Sequence, residues 1–324
     1  MNQTPVDLEH GDALHARRRL EGVVHETPLL SARGLGAAID VDLWLKPECL
    51  QKTGSWKIRG AYTVLSRLGE ADRARGVVTF SSGNWGQAVS CAAAMLDVRA
   101  VVVLPEGANP KKVSATRGYG AEVVIHGRNS EQLLEKAWSV HQADGSVFIN
   151  PLDNRDMIAG AASLGLEIVD QLPEVDAIVV PLGGGALIAG AAFGAKSEKR
   201  GVQVYGVQPR GACAVYESLR RGGVVELERV ETIADGLAVK RPSASTVELI
   251  ARWVDDVVLV SDDEIRRAMY SLLERAKLLV EPSGAASLAA LMSGRTPDLR
   301  GRRVVAVLTG GNADFGLLGE VLQA

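Results

Sequence analysis

A run of three glycines between an apolar run and a small-residue run is the first feature of this sequence that could do chemistry. The string Val179-Val180-Pro181-Leu182-Gly183-Gly184-Gly185-Ala186-Leu187 is typical of a strand, a tight turn and a helix. Backbone N–H groups that converge at the start of a helix bind phosphate groups, because the helix dipole is positive there. The string lacks both the third glycine of a dinucleotide fingerprint and a following Gly-Lys-Ser/Thr. A phosphate site is therefore favoured over a turn that only packs closely.

A lysine between bulky apolar neighbours is the candidate nucleophile. It is Lys57, in the string Ser55-Trp56-Lys57-Ile58-Arg59-Gly60. Burial at the start of an apolar helix lowers the pKa of an amine and leaves part of it unprotonated. A single lysine at a helix start is more often solvated, so this interpretation depends on the neighbouring strings.

Two further turns carry small polar residues. Ser81-Ser82-Gly83-Asn84-Trp85 follows an apolar run, and its N–H and hydroxyl groups could hold a carboxylate, although a plain helix cap explains this turn equally well. Leu308-Thr309-Gly310-Gly311-Asn312 lies at the end of the last predicted strand, where open α/β sheets bind ligands.

The elements that must position these residues alternate between β-branched runs and Ala- and Leu-rich runs of helical period, which predicts an α/β fold with parallel sheets. Predicted helices include 85–96, 130–141, 157–172 and 264–279. The predicted strands are 41–45, 76–81, 100–104, 122–126, 147–150, 177–182, 203–207, 257–260 and 304–308.

Nine strands are more than one sheet usually holds, so two sheets in two domains are expected. We predict a small domain over residues 76–151, inserted into a large domain made of residues 1–75 and 152–324. Because the last strand and helix finish at Ala324, no C-terminal regulatory domain is expected.

Composition excludes several classes of function. The 36 Lys and Arg against 39 Asp and Glu give a net charge of −3, which does not suit a nucleic-acid partner. Three separated cysteines with no Cys-x-x-Cys predict neither disulfides nor a zinc site. The uncharged run 177–195 could span a bilayer, but Pro181 and the glycines after it would break such a helix. No signal peptide is recognisable, so a cytoplasmic protein with no membrane partner is expected.

Together these strings resemble the fold-type II pyridoxal-phosphate enzymes, in the threonine/serine dehydratase and serine racemase branch. The resemblance extends from His25-Glu26-Thr27-Pro28-Leu29 to Asn312. It implies the tryptophan synthase β-like fold, with two α/β domains that each contain a mainly parallel sheet. It also implies pyridoxal 5'-phosphate as the cofactor, a small amino-acid substrate and a homodimer.

The resemblance further implies roles for individual residues. Lys57 would form a Schiff base with the cofactor beside Trp56, Asn84 would bond its 3-hydroxyl and Thr309 would face its pyridine nitrogen. Ser82 matches a serine that serves the opposite face in racemases, which makes it a second catalytic candidate. The backbone that holds the phosphate would come from Gly183, Gly184, Gly185, Ala186 and Leu187. The substrate would be held by Ser81, Ser82, Gly83, Asn84 and Trp85.

The implied activity is a dehydratase, or ammonia-lyase, that converts a β-hydroxy amino acid such as L-threonine or L-serine to the 2-oxo acid and ammonia. An amino-acid racemase uses the same residues, and so would a dehydratase of phenylserine or hydroxyaspartate. A non-catalytic homologue is the third alternative, and the presence of Lys57, Asn84 and Thr309 argues against it.

The departures from the family pattern concern the substrate pocket and a cation site. Trp85 replaces the usual histidine, while Leu152 and Ala161 replace larger or polar residues, which indicates a reshaped pocket. Gln208 and Ala214 stand where some members have acidic ligands of a divalent cation, so no metal is expected. Glu281 is expected either to support the site or to act as an ordinary cap or ion-pair partner.

Overall fold

The computed structural model describes residues 7–81 and 83–323, and two sheets with surrounding helices form its framework. Strands form at each predicted β-branched run. In chain order the strands are β1 (Leu30–Ser31), β2 (Asp42–Pro47), β3 (Val77–Phe80), β4 (Ala100–Leu104), β5 (Glu122–Ile125), β6 (Val147–Phe148), β7 (Ala177–Pro181), β8 (Gln203–Pro209), β9 (Asp256–Val260) and β10 (Arg303–Leu308).

The larger sheet has the strand order β1-β2-β10-β7-β8-β9. Its strands run parallel except β1, which pairs with β2 in the antiparallel direction. β10 lies between β2 and β7, and Leu308 at its end pairs with Pro47 at the end of β2. The segments that follow β2, β7 and β10 therefore leave the sheet at one edge, and these segments contain the lysine string, the glycine turn and the Thr309 turn.

The smaller sheet has the order β5-β4-β3-β6, and all of its strands are parallel. β3 is an interior strand whose four residues are all buried, and the Ser81–Trp85 segment leaves its carboxyl end. This sheet uses only strands between Val77 and Phe148. We propose that it is the core of the inserted domain whose boundaries the sequence predicts.

Helices cover both faces of the sheets, and most begin where the sequence places a cap or a turn. The Asn154 side chain, for example, accepts the N–H groups of Asp156 and Met157 at the start of α8. The helices are α1 (His10–Leu20), α2 (Arg33–Ala37), α3 (Lys57–Ser66), α4 (Glu70–Arg75), α5 (Asn84–Met95), α6 (Pro110–Gly118), α7 (Ser130–Asp144), α8 (Arg155–Gln171), α9 (Ala186–Glu198), α10 (Ala214–Arg221), α11 (Ala244–Trp253), α12 (Asp262–Ser271), α13 (Pro282–Met292) and α14 (Phe315–Gln323).

The uncharged run 177–195 forms the buried strand β7 and the first ten residues of α9, all of them buried. Its lack of charge follows from its position in the core, because β7 is an interior strand of the larger sheet and α9 packs against α8. No helix in the described part of the chain is both long and apolar enough to cross a membrane.

Two predicted elements differ from those observed. The predicted helix 264–279 is α12 followed by a π-helical turn at Leu272–Ala276, and it ends because Lys277 adopts a φ of 59°. Strand β1 is absent from the predicted set. It has only two residues and no alternating pattern, so its pairing with β2 is a long-range effect.

Candidate active site

Lys57 is the first residue of α3, and its amine lies beside two indole rings. Its Nζ atom is 4.5 Å from the centroid of the Trp56 ring and 6.0 Å from that of Trp85. Burial lowers the pKa of the Lys57 amine to about 8, and the carboxyl group of Glu281 opposes this shift. More of the amine is therefore unprotonated near neutral pH than in an ordinary lysine, as a nucleophile or general base requires.

Backbone hydrogen bonds join the lysine string to the turn after β10. The Trp56 N–H donates to the Thr309 carbonyl at 3.1 Å, and the Gly311 N–H donates to the Gly54 carbonyl at 2.9 Å. Thr309 is itself buried. The structure thus brings together two of the four strings that the sequence singles out, although about 250 residues of chain separate them.

The third string contributes Asn84 at the start of α5. Its Nδ2 atom donates to Glu281 Oε1 at 2.6 Å, and its Oδ1 atom accepts from Asn312 Nδ2 at 2.9 Å. Glu281 is buried and its Oε2 atom has no partner among the described residues. Burial raises the pKa of the Glu281 carboxyl to about 7, with a further contribution from Asp235. Glu281 contacts Asn84 directly, as a residue that supports the site would.

The glycine turn between β7 and α9 presents open backbone. Gly185 has a φ of 106°, which a residue with a side chain rarely adopts, and a Cβ at Gly183 would lie 3.0 Å from the Gly236 carbonyl. No side chain caps the start of α9 in the described structure. The first N–H groups of this 13-residue helix are therefore open to an anion.

The hydroxyl of Ser81 lies inside the turn that it begins. Its Oγ atom accepts the N–H groups of Gly83 and Gly86, both at 3.0 Å. It thereby holds the shape of the turn, as an ordinary cap would. Ser82, predicted to be a catalytic and substrate-binding residue, lies outside the described residues.

Trp85 is buried, and its side chain has a defined partner. The indole Nε1–H donates to Thr79 Oγ1 at 2.9 Å, and the Thr79 hydroxyl donates to the Ile149 carbonyl at 2.8 Å. The ring is thus fixed to the smaller sheet while it faces the Lys57 amine. That Trp85 shapes the pocket for the substrate side chain stays a prediction.

A buried ionic cluster is centred on Arg59, two residues after Lys57, and the sequence patterns did not predict it. Arg59 bonds Glu48 and Glu167 at 2.8 Å each, and Lys46 bonds Glu167 at 2.5 Å. These residues join β2, α3 and α8, because Glu48 directly follows β2. Charged residues inside otherwise apolar strand and helix runs are the signal that could have revealed the cluster.

Gln208 stands where some members of the resembled family have an acidic cation ligand. Its side chain is buried, and its Oε1 atom accepts the Tyr216 N–H at 2.8 Å. Within residues 7–81 and 83–323, no group of three or more His, Cys, Asp or Glu residues could hold a metal ion.

The profile of the family described as "Pyridoxal-phosphate dependent enzyme" matches residues 20–310, and the chain belongs to this family. An L-threonine ammonia-lyase from Thermotoga maritima is 40% identical over 312 residues, covering 96% of this chain and 77% of the relative. The Escherichia coli K12 protein named L-threonine dehydratase catabolic TdcB is 40% identical over 318 residues, covering 98% and 96%. A structure of maize serine racemase superposes with a TM-score of 0.93 at 33% identity, covering 97% of each chain.

These findings confirm the predicted fold class, and with it the cofactor. The chain has the fold of the fold-type II enzymes and uses pyridoxal 5'-phosphate. The residues present fit this group: the open N–H groups of α9 suit a phosphate, and a reactive amine lies beside two aromatic rings. The protein is a pyridoxal-phosphate-dependent lyase.

Proposed function

We propose that this protein is a dehydratase that converts L-threonine or L-serine to the 2-oxo acid and ammonia. The observation that carries the proposal is the Lys57 amine, whose pKa of about 8 suits proton transfer and which lies beside the turn after β3. Relatives named for L-threonine deamination, with identities of about 40% over nearly the whole chain, support the choice of substrate.

The cofactor would be held by residues from both sheets. Lys57 would bind it covalently, beside Trp56, with Asn84 at its 3-oxygen and Thr309 at its pyridine nitrogen. The N–H groups that would bind its phosphate belong to Gly183, Gly184, Gly185, Ala186 and Leu187. When bound, pyridoxal phosphate withdraws electrons from the α-carbon of an attached amino acid and so acidifies the α C–H bond.

The protein's own groups then move the proton and hold the substrate. The Lys57 amine would take the α-proton, and a proton returned by the resulting ammonium group would let the β-hydroxyl group leave as water. Water returns when the product is hydrolysed, so L-threonine gives 2-oxobutanoate and ammonia, and L-serine gives pyruvate and ammonia. The turn Ser81-Ser82-Gly83-Asn84-Trp85 would hold the substrate carboxylate at the start of α5, where the helix dipole favours an anion.

The test incubates the purified holoenzyme with L-threonine, L-serine, threo-3-hydroxyaspartate and threo-phenylserine. Oxo acid, ammonia and the enantiomers of the remaining amino acid are measured together. We expect oxo acid and ammonia in equal amounts from L-threonine or L-serine, and none from a Lys57→Ala variant. Inverted amino acid without oxo acid would show a racemase instead, and the absence of both would show a non-catalytic homologue.

A second candidate, amino-acid racemase, is favoured by the TM-score of 0.93 to a serine racemase. The same assay separates it, because enantiomer formation and oxo acid formation are measured in one sample.

We also propose that the protein is a cytoplasmic homodimer. The three cysteines are free, which suits a reducing compartment. The homodimer follows from the family resemblance alone. Sedimentation analysis of the holoenzyme tests it, and a sedimentation coefficient of a single 34.3 kDa chain would contradict it.

A further inference from the structure

A chain of side-chain hydrogen bonds passes through Asn84, and its direction is fixed at one end by a backbone carbonyl. The Thr53 carbonyl can only accept, so the Asn312 Nδ2 group must face it, and the distance is 2.8 Å. The same Nδ2 group donates to Asn84 Oδ1 at 2.9 Å. The orientation of the Asn84 amide is therefore set by Asn312.

At the other end of this chain, Asn84 donates to Glu281 Oε1 at 2.6 Å. This bond uses one of the two N–H groups on Nδ2, and Oδ1 is already engaged by Asn312. The second N–H group of Asn84 is the donor that remains for a ligand.

Two glycines allow the chain to form in so little space. A Cβ on Gly54, whose φ is 69°, would lie 2.6 Å from Asn312 Oδ1. A Cβ on Gly310 would collide with Glu281 Oε1 and lie 3.2 Å from Asn84 Nδ2. The polar side chains thus approach the backbone on both sides, and a side chain at either glycine would displace them.

We propose that Asn312 and Glu281 are positioning residues that hold Asn84 as a hydrogen-bond donor toward the 3-oxygen of the cofactor. The inference rests on the proposed function only in taking Asn84 as the residue at that oxygen. A donor at this point stabilises the oxygen in its ionised form, whereas a rotated amide would present its own oxygen and repel it.

The test compares how tightly the protein binds pyridoxal phosphate and 3-deoxypyridoxal phosphate, which lacks the 3-oxygen. Dissociation constants are measured by equilibrium dialysis against cofactor-free protein. In Asn312→Asp a carboxylate replaces the donor, so we expect Asn84 to rotate. Binding of pyridoxal phosphate should then weaken about 10- to 100-fold, the usual effect of losing a hydrogen bond to a charged oxygen. Binding of the 3-deoxy analogue should not change.

Four further variants make the test specific. Asn84→Ala should show the same selective loss, and adding Asn312→Asp to it should cause no further loss, because both act on one contact. Glu281→Gln keeps an oxygen that accepts from Asn84 and should retain the wild-type preference for pyridoxal phosphate. Asn129→Ala, which removes the cap of α7 beside the smaller sheet, is the control and should affect both ligands equally or not at all.

Equal weakening of both ligands by Asn312→Asp, or no weakening of either, would overturn the inference. If Asn312→Asp fails to fold, Asn312→Ser is used with the same criteria, since one hydroxyl group cannot donate to both Thr53 and Asn84. Selective loss in Asn84→Ala alone would overturn the role of Asn312 and leave the proposed function standing. Selective loss in both variants without deamination by the wild type would contradict the proposed function alone.

Discussion

Lys112 in α6 bonds Asp235, which lies in the segment between β8 and β9, with 2.7 Å between Nζ and Oδ2. The Lys112 amine also lies 3.4 Å from the position that a Cβ on Gly83 would occupy, next to the turn proposed to hold the substrate. A second bond, from Asn109 Nδ2 to Asp314 Oδ2, also measures 2.7 Å. Helix α6 is thus tied at its start to the segments that follow β8 and β10.

The Lys112–Asp235 ion pair should help to hold α6 beside the turn that is proposed to bind the substrate. Because more than half of the Asp235 side chain is exposed, we expect the pair to contribute no more than about 1 kcal/mol. Lys112→Met should then raise KM by no more than about fivefold, with little change in kcat. The measurement is KM at low and at high salt, and salt should affect the variant less than the wild type. An equal salt response in both proteins would contradict this role.

The lowered pKa of Lys57 should reduce the stability of the cofactor-free protein. The folded state binds the Lys57 proton less well than the unfolded state, so the cost is fully present below about pH 8 and disappears above the ordinary lysine pKa. We expect Lys57→Met to stabilise the cofactor-free protein at pH 7 by about 1–3 kcal/mol. Urea unfolding checks this, with Lys136→Met at a partly exposed position of α7 as the control. If the Lys57→Met protein is less stable than the wild type, burial of the Lys57 amine does not reduce the stability of the cofactor-free protein.

The raised pKa of Glu281 predicts the opposite dependence on pH. Its folded-state pKa of about 7 lies above the ordinary value of 4.5. The contribution of Glu281 to the free energy of unfolding is therefore fully present below pH 4.5 and is lost as the pH rises to 7. In the cofactor-free wild type this lowers the free energy of unfolding by about 3 kcal/mol, and the Glu281→Gln variant should not show the decrease. Unfolding at pH 5 and pH 8 measures it. The expectation fails if the difference between the two proteins is the same at both pH values.

The cluster around Arg59 should be sensitive to the loss of its cation. Arg59→Met leaves Glu48 and Glu167 buried with one fewer cation, and we expect a loss of about 3–5 kcal/mol in the free energy of unfolding. Arg17→Met removes an exposed pair with Asp170 and should change it by less than about 1 kcal/mol. Similar effects of the two substitutions would argue against an important cluster.

Exchange of Trp85 should change which substrate is preferred and leave the chemistry intact. An apolar pocket distinguishes substrates by about 1–3 kcal/mol per methylene group, so Trp85→His should reorder the kcat/KM values of threonine, serine and larger 3-hydroxy amino acids. The cofactor absorbance should not change. If all substrates changed by one factor, Trp85 would be a packing residue that is held by its bond to Thr79.

The sequence by itself determined the class of the fold and the chemistry-bearing strings. β-branched runs that alternate with helical runs require crossover connections, and each string directly follows one of the predicted strands or, for Lys57, begins the helix after one. The glycine turn could also be predicted from sequence, because only glycine combines a φ of 106° with an open backbone. Because the strands of the larger sheet pair in parallel, the strings that follow β2, β7 and β10 leave the sheet at the same edge.

Only the tertiary structure decided which polar groups pair with one another. Asn84 and Glu281 are 197 positions apart, and Lys46 and Glu167 are 121 apart. Local periodicity carries no information about such pairs, since it records only which face of an element is buried. The pKa shifts of Lys46 and Glu281 arise mainly from burial, with contributions from charged neighbours that are distant in sequence. The reactivity of Lys57 is therefore a property of the folded site, although its sequence string identified the residue.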